Sequence, residues 1–265
     1  MRSSASAYWD SIAEEWARAN PQSLWRAYSD AVHSGLVAHR VEGSHYSRLL
    51  KTDLFDEAVS AGVFADLALQ ADSVFGIDIS SLMVGVARER CAGLHGVGGD
   101  VRCLPFADKA FDMVFSNSTL DHFGSPDKIA LSLNELYRVL RPGGELLLTL
   151  DNLMNPAVAI RNALPYDLLH RLGIVPYQVG ATLRPRRLKE LIEHTGFEIQ
   201  KIDAIMHCPR LLGVIVTRIL DKHIDKENQQ RFLHLMLAFE RLARLPTRFL
   251  TGYFGVVWAH KKSIR

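Results

Sequence analysis

Residues 98–123 read GGDVRCLPFADKAFDMVFSNSTLDHF, and residues 138–152 read RVLRPGGELLLTLDN. They contain two short apolar runs, FDMVFSN (111–117) and GELLLTL (144–150). Between the runs lies DKIALSLNELYRVL (127–140), whose apolar residues recur at helical spacing. Runs this continuously apolar are buried on both faces, as the strands of a parallel sheet are. The same alternation extends outward. SRLLKTDLF (47–55), SVFGIDI (73–79) and GVGGDVRCL (96–104) read as strands, with GVFADLALQ (62–70) and SSLMVGVARERC (80–91) as helices between them. Strands alternating with helices imply a parallel sheet covered on both faces. Right-handed crossovers then make it doubly wound, with a ligand crevice at the carboxyl ends of the strands.

The flanks are helical. Residues 5–40 place Trp9, Ile12, Ala13 and Trp16 on one helical face, and Pro21 divides the stretch into two helices. Residues 153–182 hold three prolines among amphipathic pieces and read as an insertion or lid. LRPRRLKELIEHTGF (183–197) is a helix ending at Gly196, and FEIQKIDAI (197–205) is a strand. Two amphipathic helices over 209–249 and a last strand, GYFGVVWAHKK (252–262), complete the chain. The order βαβαβαβαβ–helix–β–β predicts an α/β fold: a doubly wound, mostly parallel, Rossmann-like sheet of seven strands whose last strand is antiparallel. The divisions are a helical segment 1–44, a core 45–152, the insertion 153–182, and a C-terminal part 183–265 with the helical insertion 209–249.

Composition excludes several classes. The 265 residues are 48% hydrophobic and 23% charged, close to globular averages, which argues against disorder and low-complexity scaffolds. Three scattered cysteines, Cys91, Cys103 and Cys208, are too few for a disulfide framework or a Cys-rich zinc site, and no metal is expected. The opening MRSSASAYWDSIAEEW turns acidic at once and does not read as a signal peptide. With no run of 18 apolar residues either, a reduced, soluble, cytoplasmic protein is expected. The net charge of +2 hides an asymmetry: residues 1–182 carry 15 Lys/Arg and 21 Asp/Glu (−6), residues 183–265 carry 16 and 8 (+8). No G-x-S-x-G, H-E-x-x-H or P-loop motif occurs, and basic runs interleaved with aromatics are absent, so nucleic acid is not an expected partner.

Three motifs taken together carry a resemblance. Asp100 precedes Leu104-Pro105-Phe106, Phe111-Asp112-Met113-Val114 follows, and Arg141-Pro142-Gly143-Gly144 marks the turn before the fifth strand. In this combination the chain resembles the class I S-adenosylmethionine-dependent methyltransferases, in particular the type 11-like branch acting on small molecules. The resemblance covers about residues 45–155 and, loosely, the final helix–strand–strand. It implies S-adenosylmethionine as cofactor and methyl transfer to an oxygen, nitrogen or carbon of a small-molecule or lipid-like acceptor.

The resemblance also implies a site. Asp78, ending SVFGIDI, would accept hydrogen bonds from two vicinal ribose hydroxyls; the structural alternative is a helix-cap region with Ser80 and Ser81. Asp100 would face the adenine amino group and the Val101 N–H a ring nitrogen, or the pair forms a surface turn after Gly98 and Gly99. Ile79, Leu104 and Phe106 would wall the adenine. Asn117 and Ser118, at the end of the fourth strand, would lie near the methionine part and the acceptor, or cap the next turn. The first strand departs from the family, which runs into Asp/Glu-x-Gly-x-Gly-x-Gly. Here LLKTDLFDEAVSAGVF (49–64) has one glycine, Gly62, preceded by Asp53, Asp56 and Glu57. Glu57 or Asp53 would meet the cofactor's α-ammonium, and Gly62 would open the next helix; the register is open. His122, beside Asp121, is either a base near the acceptor or an incidental surface histidine.

Two functional classes stand at this point: a methyltransferase, or a binding protein on the same fold that has lost turnover with its glycine loop. Residues 153–182 and 209–249 form either an apolar acceptor pocket under a cover or a dimer interface, so the chain is a monomer or a homodimer. Arg210, Arg218, Arg231, Arg241, Arg244 and Arg248 punctuate the helices of the basic end. Those helices either pack with their arginines in water or make peripheral contact with an anionic bilayer.

Overall fold

The computed structural model describes residues 4–19, 23–41, 43–172, 175, 177–223 and 225–263. Two helices, α1 (Ser4–Ala19) and α2 (Ser23–Val41), precede β1 (Tyr46–Thr52). Short helices α3 (Phe55–Val59) and α4 (Phe64–Ala68) lead to β2 (Ala71–Asp78), α5 (Ser81–Arg90), β3 (Leu94–Gly98) and β4 (Phe111–Asn117). Then come α6 (Pro126–Val139), β5 (Leu140–Asp151), α7 (Pro156–Ala163), α8 (Tyr166–Arg171), α9 (Pro185–Thr195) and β6 (Phe197–Ile205). The chain finishes with α10 (Arg210–His223), α11 (Lys226–Ala238), α12 (Arg248–Thr251) and β7 (Phe254–Lys261). Pro21 and the side chain of Arg218 lie outside the described residues.

The seven strands form one sheet in the order β3-β2-β1-β4-β5-β7-β6. β1 pairs in parallel with β2 and β4, while β7 is antiparallel to both β5 and β6, as the sequence predicts. The full strand–helix alternation does not hold, because no helix lies between β3 and β4. That link carries Pro105 and is instead braced by Arg138 of α6, which donates to the carbonyls of Leu104 and Phe106 while pairing with Glu135 and Asp108. A second departure is α3, within a stretch read as strand and loop.

The pleat sorts neighbouring apolar residues to opposite faces. Leu49, Val74, Met113 and Leu147 pack under α3, α4 and α5 with Leu54, Leu67 and Ala87. Leu50, Ile77, Val114, Leu146 and Leu148 pack on the other face with Leu133 and Leu136 of α6 and Ile192 of α9. A third buried cluster lies away from these, where Trp25, Tyr28 and Val32 of α2 meet Met236 of α11 and Phe254 of β7.

The motifs explain themselves locally. Asp112 accepts the backbone N–H of Arg48 at 2.8 Å and pairs with Arg141 at 2.9 Å, joining β1, β4 and the start of β5. In the turn, Gly143 has φ +76°, a backbone shape that costs an L side chain more than glycine. α9 stops at Gly196 as expected.

Candidate active site

The carboxyl ends of β1, β2, β3 and β4 open into one cavity of about 580 Å³, a size typical of ligand pockets. Asp53, Asp78, Ile79, Asp100, Val101, Asn117, Ser118 and His122 all line it. Glu57 and Gly62 do not. Glu57 is fully buried, pairing with Lys51 at 2.7 Å and accepting the Val63 N–H at 3.0 Å. A side chain at Gly62 would collide with that carboxylate, since its Cβ would stand 2.6 Å from Oε1. These two residues brace the loop from beneath, and Gly62 lies two positions before α4. Of the two acids left open by the sequence, Asp53 is the one in the cavity wall, and Asp56 joins it.

Asp78, the residue expected to meet a ribose, is rigidly held. Asp78 accepts the Leu54 N–H on one oxygen and the Ser80 N–H on the other, each at 2.8 Å, which fixes the carboxylate at the end of β2. Each oxygen keeps a lone pair for a hydroxyl. Asp53 adopts φ 68° just past β1, a left-handed shape that Asp tolerates where glycine is usual. Its carboxyl is pushed well above the ordinary range by burial and by the charge of Asp78, and Asp78 is itself raised by burial. Burial also pushes Asp56 upward, but Arg26 at 2.6 Å and Lys51 hold it below the ordinary value.

The adenine end differs from expectation in two ways. Asp100 is already gripped by Arg102, whose Nε and Nη2 donate to it at 2.9 and 2.5 Å. Leu104 and Phe106 do not reach the cavity: Leu104 belongs to the core beneath, and Phe106 packs edge-on against Phe111 at 5.0 Å. Ile77, Ile79, Met83, Val101 and Phe123 form the apolar wall instead.

Asn117 sits in a chain of polar contacts, donating to Asp56 at 3.2 Å and accepting from Thr149 at 2.7 Å. Ser118 donates to Asp121 at 2.8 Å. His122 lies with Nε2 3.9 Å from Asp121 Oδ1, and its Nδ1 is buried without a hydrogen-bond partner. Its ring is held edge-on by Trp9 at 4.7 Å and Tyr177 at 5.5 Å.

The rest of the cavity comes from helices. Asp10 of α1 accepts the Ser80 hydroxyl at 2.6 Å, and the Tyr8 hydroxyl accepts the Gln178 N–H at 2.9 Å, so α1 spans from the ribose position to the 153–182 insertion. Gly180 donates to the Asp121 carbonyl at 2.8 Å and approaches so closely that a Cβ there would lie 2.5 Å from it. The 153–182 segment is thus pinned beside His122. Arg26 stacks 4.7 Å from both Trp16 and Phe55. Trp25, Arg210, Val214 and Phe254 close the far end. None of these was singled out as a site residue; the one available signal was the helical spacing of aromatics near the start of the chain.

The wall fits S-adenosylmethionine by its chemistry. Two neighbouring acids, of which Asp53 is raised by burial and by the charge of Asp78, favour a cationic ligand, and Asp78, Asp100 and Asn117 offer acceptors to hydroxyls and amines. Asp53, Asp56 and Asn117 would hold its amino-acid end, Asp78 its ribose, and Asp100 with the Val101 N–H its base.

Comparison with known proteins agrees. The methyltransferase domain family matches residues 56–148. The chain is 29% identical over 154 residues to a ubiquinone/menaquinone biosynthesis C-methyltransferase of Haemophilus ducreyi, covering 51% of this chain and 58% of that protein. It is 31% identical over 143 residues to a malonyl-[acyl-carrier protein] O-methyltransferase of Enterobacter lignolyticus, covering 52% of each. The chain thus spans about half the length of the curated relatives it matches. The fold is similar to that of a methyltransferase structure from Thermotoga maritima, with a TM-score of 0.60 at 17% identity over 97% of this chain and 99% of that one. The strand order, the motif turns and the domain match over residues 56–148 agree, and the chain has the fold of the class I S-adenosylmethionine-dependent methyltransferases.

Proposed function

We propose that this protein transfers a methyl group from S-adenosylmethionine to a nucleophilic atom of a small or lipid-like acceptor, with His122 as the base. The observation that carries the reading is the continuity of one cavity from the acid-lined strand ends to an aromatic, helix-built chamber, with His122 between them. When bound, the cofactor supplies a methyl group already activated by its sulfonium charge. The protein's share is alignment: Asp78 fixes one end of the cavity, and α1 with the 153–182 cover keeps water from the other. Asp121 Oδ1, 3.9 Å from Nε2, is too far for a hydrogen bond but close enough for its charge to favour the imidazolium that forms as His122 takes the acceptor's proton.

His122→Gln tests the role. S-adenosylhomocysteine release with a panel of oxygen, nitrogen and carbon acceptors should fall about a hundredfold or more in kcat, with cofactor affinity unchanged. An unaltered kcat removes His122 from the mechanism. The lipid-like version of the acceptor draws support from α10, which exposes Leu211, Leu212, Ile215 and Ile219 beside the cavity residues Arg210 and Val214. Salt-sensitive co-sedimentation with anionic liposomes is expected if the acceptor arrives from a bilayer; no binding at low salt leaves a dissolved acceptor. Among the described residues no helix is long and apolar enough to cross a membrane.

The second reading, a binding protein without turnover, is favoured by one observation. The glycine loop is replaced by the Lys51–Glu57 brace, and Arg26 already neutralises Asp56. Binding of S-adenosylmethionine without any transfer to the acceptor panel would support it.

A further inference from the structure

Three arginines line the cavity, and two of them are neutralised: Arg26 by Asp56 at 2.6 Å and Arg102 by Asp100 at 2.5 Å. Arg210, at the start of α10, is different. Its guanidinium lies 4.6 Å over the ring of Tyr253, and among the described residues it has no carboxylate or other hydrogen-bond partner. Asp151, the acid whose charge acts on Arg210, is already held by Arg161, which also donates to the Tyr253 hydroxyl at 2.5 Å. A half-buried guanidinium without a hydrogen-bonded partner leaves polar hydrogens unsatisfied, and stacking on an aromatic face leaves its N–H edge free.

We propose that Arg210 binds the acid group of the acceptor, so that the substrate class is an apolar molecule bearing a carboxylate or phosphate. The planar fork of N–H donors matches both groups, and matches no neutral group as well. Placement agrees with the role. Tyr177 touches the His122 ring and also lies within electrostatic reach of Arg210, so base and anchor flank one aromatic residue. The chamber around them, with Trp9, Trp25, Val214 and Phe254, accepts an apolar body. Arg210 would hold the acid end at a fixed distance from the atom that loses its proton to His122. It is a binding residue and takes no part in proton transfer. The proposal rests on the methyltransferase reading only in calling this chamber the acceptor end.

The test uses octanoate, octyl phosphate and the neutral octanamide, titrated into the full chain and followed by calorimetry and by quenching of tryptophan fluorescence from Trp9 and Trp25. At least one of the two acids should bind tenfold or more tightly than octanamide, and which one does separates a carboxylate from a phosphate acceptor. Arg210→Met should abolish that preference, Arg210→Lys should keep part of it, and the affinity for S-adenosylmethionine should not change in either. Equal binding of acids and amide by the unaltered protein overturns the proposal, as does no binding of either acid at millimolar concentration, or a preference that survives Arg210→Met. The comparison in the unaltered protein stands even if a variant fails to fold. Failure of S-adenosylmethionine to bind, with the acid preference intact, would overturn the methyltransferase reading and leave Arg210 as an anion site.

Discussion

The two halves of the cavity are built on different terms. At the strand ends, Asp53, Asp78, Asp100 and Asn117 are placed by the sheet: Asp78 and Asn117 end paired strands, Asp53 directly follows β1, and Asp100 lies two residues past β3. In the helical half the wall comes from Trp9, Arg26, Tyr177, Arg210 and Phe254, brought together across the length of the chain. The strand-end half offers acceptors and excess acid, while the helical half offers aromatic surface and an unpaired cation. The difference teaches that the sheet dictates where the strand-end polar groups go and leaves the chemistry of the rest of the cavity to the elements added around it.

The largest test of that contrast lies beneath the strand-end half. Lys51 and Glu57 are 1% and 0% exposed and pair at 2.7 Å, doing by charge what a tight glycine loop would do by shape. Glu57→Ala leaves a buried ammonium unpaired and an orphaned Val63 N–H, so it should cost about 3–5 kcal/mol in denaturant unfolding. A loss below about 1 kcal/mol would show that the loop stands without its brace.

Asp78→Ala comes next. Removing a charged acceptor of ribose hydroxyls should weaken cofactor binding by about 1.5–3 kcal/mol, tenfold to a hundredfold, and should destabilise the fold because the Leu54 and Ser80 N–H groups lose their partner. Unchanged affinity in a folded variant would mean that the strand-end half does not bind the sugar.

In the helical half, α2 carries two buried titratable groups with opposite effects on stability. Burial, then the charge of Asp56, raises Asp30 from 3.8 to about 6. Burial lowers His33 from 6.5 to about 4. Between those limits native Asp30 binds more protons than the unfolded chain, so its contribution falls as pH rises. Native His33 binds fewer, so its contribution grows over pH 4 to 6.5. The two slopes offset. Asp30→Asn should uncover the histidine and steepen the rise of unfolding free energy between pH 4 and 6 by up to about 1.4 kcal/mol per pH unit. Parallel curves for variant and parent would contradict this.

The smallest effect is expected at Asp100. Because Arg102 already occupies its carboxylate, adenine has to share or displace that partner, and the Val101 N–H remains. Asp100→Ala should therefore weaken S-adenosylmethionine by less than about tenfold, less than Asp78→Ala does. A larger loss would make Asp100 the principal contact.

The same contrast explains what could be read from the chain. Continuous apolar runs with Asp78, Asp100 and Asn117 at or just past their ends fixed both the sheet and the polar floor of the cavity, because a strand's end is a local property. The brace could not be read: that Glu57 turns down to Lys51 while Asp53 and Asp56 face up depends on α3, a helix of five residues too short for periodicity to reveal. Leu104 and Phe106 were misplaced because their motif serves the Arg138 brace between β3 and β4. Arg210 looked like any basic residue on an amphipathic helix; only the packing of α10 against α2 turns it toward the cavity while Arg241 and Arg244 stay in water.

Calorimetric titration of the whole protein with S-adenosylmethionine and S-adenosylhomocysteine tests the central claim most directly. A single site for each, competing with one another and weakened together by Asp78→Ala but untouched by Arg210→Met, is the predicted result. No heat at millimolar concentration of either ligand, or binding indifferent to Asp78, would contradict the assignment of the strand-end half to this cofactor.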